Sequence, residues 1–161
     1  MPEMKYKITL SLILIFSIIS LVSAYFIQYV LEHQPCNLCL LERIPYISVI
    51  IIVSLYLYFK KFERFTLIAL SSIFFIATLL SFYHFGIEQG FIEESLVCNL
   101  NSEGKAFTTE ELLKELNEKP ISCRDVTFSI LGISLATINT IISLILSVIT
   151  LKAFLNYEKN K

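Results

Sequence analysis

Charge and glycine are scarce in this chain, and tryptophan is absent. Only 17% of its 161 residues are charged against 55% hydrophobic, and the mean hydropathy is +0.70. A soluble domain of this length normally carries more charge and fewer unbroken apolar runs. The four glycines form no glycine-rich nucleotide loop, and there is no internal repeat or low-complexity tract. Thirteen basic residues are scattered among fourteen acidic ones without forming the basic surface that nucleic acid requires, so nucleic acid is excluded as a partner. The last residues carry no prenylation, retention or other sorting signal.

What the chain does have is long stretches without any charge. A helix crosses a bilayer with about 20 apolar residues, and four segments meet that template, at residues 8–31, 40–59, 65–87 and 126–151. The second is charge-free only from residue 44. Its extension to spanning length places Glu42 and Arg43 near the interface, where an arginine can snorkel. The first run continues well past the small-residue site Val22-Ser23-Ala24, so it is expected to be an uncleaved span rather than a signal peptide. The fold class expected is therefore all-α, a four-helix bundle integral to the membrane, in one domain over residues 1–161.

Charge orients the bundle. The segments before the first span, between the second and third, and after the fourth hold eight basic residues (Lys5, Lys7, Lys60, Lys61, Arg64, Lys152, Lys159, Lys161) against Glu3, Glu63 and Glu158. The opposite side holds five basic residues against eleven acidic ones. The positive-inside rule then puts both termini in the cytoplasm. The loop at 88–125 becomes the sizeable outer segment. Within it, Thr108 and Glu111 stand at capping-box spacing, and Leu112, Leu113 and Leu116 share one face of a short amphipathic helix that Pro120 stops.

All four cysteines, Cys36, Cys39, Cys98 and Cys123, fall on the outer side, where disulfides persist. Cys36 and Cys39 form a Cys-x-x-Cys pair between two apolar runs. With Pro35 just ahead of a helix that starts near Cys36, first-turn N–H groups would favour the Cys36 thiolate. Cys98 and Cys123 lie 25 positions apart, and a disulfide closing such a loop contributes about 3 to 4 kcal/mol in the chain-entropy account. Chemistry alone leaves three readings open: redox work, two structural disulfides in a nonenzymatic membrane scaffold, and a four-cysteine zinc site. The last lacks close spacing in its second half.

Arg43 follows Cys39 by four residues, one helical turn on, where its charge would favour a thiolate; the plainer alternative pairs it with Glu42 or lipid phosphate. His84 is expected near the outer end of the third span, at a depth similar to Arg43. Asn139, inside the fourth span, should face another helix or a ligand.

The stretch Gln34-Pro35-Cys36-Asn37-Leu38-Cys39-Leu40-Leu41-Glu42-Arg43-Ile44-Pro45 resembles the signature of the disulfide bond formation protein B (DsbB) family, bacterial inner-membrane thiol:quinone oxidoreductases. The likeness extends to the four spans, the His84 region, the second cysteine pair and the Gly132-x-Ser134-x-Ala136-x-x-Asn139 pattern. It implies a redox relay in which Cys98 forms a mixed disulfide with a periplasmic DsbA-like thiol oxidase and Cys123 resolves it. Cys36 would exchange with the loop pair and Cys39 would face a membrane quinone, either ubiquinone or menaquinone. Arg43 matches the family arginine associated with quinone use, and His84 matches a histidine near the same site. No metal is implied. The location implied is the bacterial inner membrane, multi-pass, with both cysteine pairs periplasmic.

Overall fold

The computed structural model describes residues 2–94, 98, 122–124, 129–130 and 132–159. The predicted amphipathic helix at 108–116 lies outside the described residues. The elements in order are α1 (Pro2–Tyr29), α2 (Asn37–Leu41), α3 (Arg43–Phe59), α4 (Glu63–Glu88), a hairpin of β1 (Ser129–Ile130) and β2 (Ile133–Ser134), and α5 (Leu135–Lys159). Four stretches are long and apolar enough to cross a membrane: Tyr6–Tyr29, Asn37–Phe59, Glu63–Glu88 and Leu135–Lys159. The protein is an all-α bundle of four spans.

The bundle is apolar on its outside. Leu12, Ile15 and Val22 of α1, Phe75, Ile76 and Leu79 of α4, and Ile141, Leu144 and Ile145 of α5 are all exposed, as side chains facing lipid must be. Small polar residues take the inside instead: Ser17, Ser81, Ser143 and Thr150 are fully buried. Between helices in lipid there is little hydrophobic drive, so close packing over small residues and internal hydrogen bonds hold the bundle together. Ser17 donates to Ile13 O at 2.9 Å and Thr150 to Leu146 O at 2.8 Å, which satisfies both hydroxyls within their own helices. α1 packs on α3, α3 on α4, and α4 most extensively on α5.

Three residues link α3 to α4, with Lys60 and Phe62 both left-handed (φ 52° and 66°). The Tyr56 hydroxyl spans this turn and donates to Glu63 Oε1 at 2.6 Å. At the same end of the bundle Tyr6 packs edge-on against Tyr157 and Arg64 pairs with Glu158 at 2.8 Å. Both ends of the chain and the α3–α4 turn are therefore neighbours. An apolar core of Leu10, Ile13, Val49, Val53, Leu70 and Phe74 fills the adjacent half.

The other end carries the cysteines. The second span is interrupted at Glu42 because Pro45 has no N–H to offer the Leu41 carbonyl, so α2 stops and α3 starts afresh with proline in its first turn. α4 ends where Gly90 takes φ 75° and donates to Ile87 O at 3.0 Å. The fourth charge-free run starts at residue 126, but α5 starts at Leu135. The tight hairpin comes first, turning at Gly132 with φ 82°, a backbone conformation open to glycine at little cost.

Candidate functional site

Cys36 caps α2. Its backbone is extended (φ −70°, ψ 167°) and its Sγ accepts the Cys39 N–H at 3.2 Å, the hydrogen bond that sets the two thiols one turn apart. Both are free thiols, Cys36 buried and Cys39 partly so. The Cys39 thiol first, and then the His84 ring, hold the Cys36 thiol down at about 5, against a burial that pushes it up. Cys36 is therefore a thiolate at neutral pH, the form that attacks disulfides.

His84 comes from α4 and is 3% exposed. Its Nε2 lies 3.6 Å from Cys36 Sγ and its Nδ1 lies 2.8 Å from Glu42 Oε1. Glu42 Oε2 accepts from Asn139 Nδ2 of α5 at 2.7 Å. The same amide nitrogen reaches Ser81 Oγ at 2.7 Å, and the Tyr46 hydroxyl donates to Asn139 Oδ1 at 2.5 Å. Glu88, one turn beyond His84, sits 3.9 Å from Nε2 and accepts from the Ser134 hydroxyl at 2.5 Å. This polar knot joins α3, α4, α5 and the hairpin at the level of the thiols.

The interfacial pair of Glu42 with Arg43 does not form. Glu42 is turned inward with a side chain only 11% exposed, because His84 and Asn139 offer it bonds that lipid cannot. Arg43 goes to α1 instead: its Nη1 donates to Gln28 Oε1 at 2.6 Å, and its guanidinium lies 4.9 Å from the centre of the Tyr25 ring. Asn139 faces neighbouring helices, as one of its two expected settings has it, and also lines a cavity.

That cavity measures about 390 Å³. Phe16, Ile19, Ala24 and Ile27 of α1 and Ile138 and Ile142 of α5 supply apolar walls; Cys36, Cys39, Glu42, Arg43, Tyr46 and His84 supply the polar end. Small-molecule sites commonly have this size and this division.

Cys98 and Cys123 form a disulfide, with Cα atoms 5.8 Å apart. It shares one buried cluster with Cys36, Leu38 and Ile87, and Asn37 Nδ2 donates to Cys98 O at 3.4 Å. Glu94 holds the residues on either side of Cys123, accepting from the Ser122 hydroxyl and from Arg124 N–H at 3.0 Å. The bond between these two sulphurs removes them as zinc ligands, so the four-cysteine zinc arrangement is not the one adopted. The ligand atoms of Cys36, Cys39 and His84 do lie within 4.8 Å of one another, which is one ligand short of a closed structural zinc site.

The structure thus gathers Cys36, Cys39, Arg43 and His84 at one cavity and sets the Cys98–Cys123 disulfide against Cys36 and Leu38. Gln28 and Tyr46 were not singled out in the sequence, and Glu42 only as an interfacial neighbour and partner of Arg43. Only Glu42 left a signal there, as a carboxylate inside a spanning segment, where an ionisable group is costly unless it has a partner.

Residues 6–153 match the family model for disulfide bond formation protein DsbB. The uncharacterized protein RP370 of Rickettsia prowazekii (strain Madrid E) is 30% identical over 158 residues, covering 97% of this chain and 91% of the relative. No solved structure matches.

Proposed function

Because the chain belongs to the DsbB family and is a multi-pass inner-membrane oxidoreductase with two cysteine pairs, we propose that it reoxidises a periplasmic DsbA-like thiol oxidase and passes the two electrons to a membrane quinone. Cys98 forms the mixed disulfide with the soluble partner and Cys123 releases it. The resulting loop dithiol exchanges with the Cys36–Cys39 disulfide, Cys36 being the sulphur attacked and Cys39 the one that faces the acceptor.

The observation that carries the reading is the position of Cys36 and Cys39 at the polar end of an apolar cavity lined by Arg43. A quinone head group fits such a site: an apolar slot of about 390 Å³ for a flat ring, with a multi-donor guanidinium for a carbonyl oxygen. When bound, a quinone supplies a sink for two electrons and two protons. Arg43 would hold its oxygen and favour negative charge at the cavity's polar end. Apolar walls from α1 and α5 keep water from the thiols, and the Cys39 N–H holds the Cys36 sulphur in place.

The charge distribution supports a topology with both termini and the α3–α4 turn in the cytoplasm, and with residues 88–125 as a periplasmic redox loop of a single membrane domain. The test is oxidation of a reduced thioredoxin-like partner by purified protein with ubiquinone, with menaquinone and with neither. Turnover that depends on an added quinone is expected. Partner oxidation at the same rate without quinone, or none with either quinone, would reject the proposal.

A further inference from the structure

We propose that His84 and Glu42 are the acid–base pair for Cys36 in the exchange between the two cysteine pairs, with His84 moving the proton at sulphur and Glu42 positioning the imidazole. The inference rests on the relay reading above and adds to it a residue, Glu42, and a proton route.

The geometry runs thiol, imidazole, carboxylate. An ionised carboxylate only accepts, so the 2.8 Å contact places the N–H on Nδ1 toward Glu42 Oε1. Nε2 is then the atom that faces Cys36 Sγ at 3.6 Å. Neutral, it accepts the thiol proton; protonated, it donates to the thiolate. This is the arrangement by which a base activates a nucleophile while a third group fixes the base. Glu42 cannot swing away, since its second oxygen is tied to Asn139, and Asn139 is tied in turn to Tyr46 and Ser81. A network serving only to pack helices would not need to end on a sulphur.

The chemistry balances within the chain. A loop thiolate attacks Cys36 Sγ; the Cys36–Cys39 bond breaks, and Cys39 leaves with the electron pair and takes a proton. The second loop thiolate then attacks the loop sulphur of the mixed disulfide, the loop disulfide forms, and Cys36 leaves as a thiolate beside Nε2–H. Two electrons have moved inward. The two protons lost by the loop thiols match the one taken by Cys39 and the one held between Nε2 and Cys36 Sγ. Among the described residues, the titratable and charged groups around this sulphur are His33 before α2, Cys39 of α2, Glu42, Arg43 and Tyr46 at or after the α2–α3 break, and Tyr83, His84 and Glu88 of α4. α5 and the hairpin present Asn139 and Ser134, which do not titrate.

The test uses the full chain in detergent with no quinone, so it does not depend on the quinone site. Fully oxidised protein is mixed with a reduced thioredoxin-like dithiol, quenched in acid at intervals, alkylated and analysed for electrons on the Cys98/Cys123 peptides and on the Cys36/Cys39 peptide, from pH 5 to 9. In parallel, thiolate absorbance of the reduced protein gives the Cys36 midpoint. Glu42→Gln should slow arrival at Cys36/Cys39 about tenfold or more at pH 7 and move the thiolate midpoint upward, while reduction of the loop pair keeps its rate. Glu42→Asp should recover most of both. His84→Gln should show the larger loss.

An intact relay in which Glu42→Gln and His84→Gln keep the wild-type midpoint and inward rate overturns the proposal alone. A wild-type protein in which electrons never reach Cys36 overturns it together with the relay. Should Glu42→Gln fail to fold, nitrogen-15 imidazole spectra of the native chain, which has two histidines, replace it. The His84 resonances must then respond to oxidation of the inner pair, and resonances indifferent to its redox state refute the assignment.

Discussion

Arg43→Lys removes the guanidinium while keeping a charge that can snorkel, and the structure gives the size of the effect. The Nη1 bond to Gln28 at 2.6 Å and the Tyr25 ring at 4.9 Å fix the head group on α1. A hydrogen bond from a charged donor contributes about 1.5–3 kcal/mol and a cation over an aromatic face about 0.5–2 kcal/mol. Lysine retains part of each but cannot form a planar fork. If about 1.4 kcal/mol of that fixation is expressed in acceptor binding, the quinone KM rises about tenfold. Gln28→Leu, which leaves the arginine intact, should raise it in the same direction by releasing its orientation. The assay is steady-state quinone reduction across a range of quinone concentrations, paired with single-turnover oxidation of the soluble partner, which should be nearly unchanged because that step belongs to Cys98 and Cys123. Folded Arg43→Lys, Arg43→Gln and Gln28→Leu proteins with the wild-type quinone dependence would return Arg43 to a purely anchoring role.

Cys123→Ser should accumulate a mixed disulfide between Cys98 and the partner, visible on non-reducing gels, and adding Cys98→Ser should abolish it; a folded Cys123→Ser protein that never forms the adduct reverses the assigned direction of attack. Cys36 sits well below the usual thiol value of 9.0, at about 5, so the stability its thiolate lends the reduced protein is fully present above that usual value and is lost as pH falls through about 5. Thiolate absorbance and thermal melts of the reduced protein should therefore both fall off on that acid limb, and a midpoint near 9 would contradict the geometry. Reporter fusions at Lys61 and at Glu103 should report cytoplasm and periplasm respectively, and a cytoplasmic Glu103 would invert the topology.

The four spans were legible because lipid imposes one simple requirement, a long stretch without charge, and the sequence meets it four times. Chain direction along a helix was legible as well: depth in the span brought Arg43 and His84 to the same level, and both line one cavity. What the sequence did not reveal is rotation about the helix axis. Glu42 and Arg43 are adjacent, yet one turns to α4 and α5 and the other to α1. The partners that decide this are 42 and 97 positions from Glu42 and 15 from Arg43, beyond any local spacing rule. The start of α5 was hidden for another reason, since the hairpin before it is as free of charge as the helix and only Gly132 marks the turn.

The burial of the two cysteine pairs bears on how one relay can serve two different acceptors. Cys98 and Cys123 are 3% and 1% exposed and lie in the same cluster as Cys36. Thiol exchange requires the attacking sulphur to reach the disulfide it cleaves, so a disulfide buried against Cys36 and Leu38 is placed for the inner exchange and closed to a soluble protein. In the proposed relay, exchange with the soluble partner therefore requires these two sulphurs to be uncovered. Among the described residues, Glu94 holds Ser122 and Arg124, Asn37 holds the Cys98 carbonyl, and the disulfide packs on Leu38 and Ile87. At the inner site Glu42 is held by His84 and by Asn139, bonds that join α3, α4 and α5 beside the thiolate.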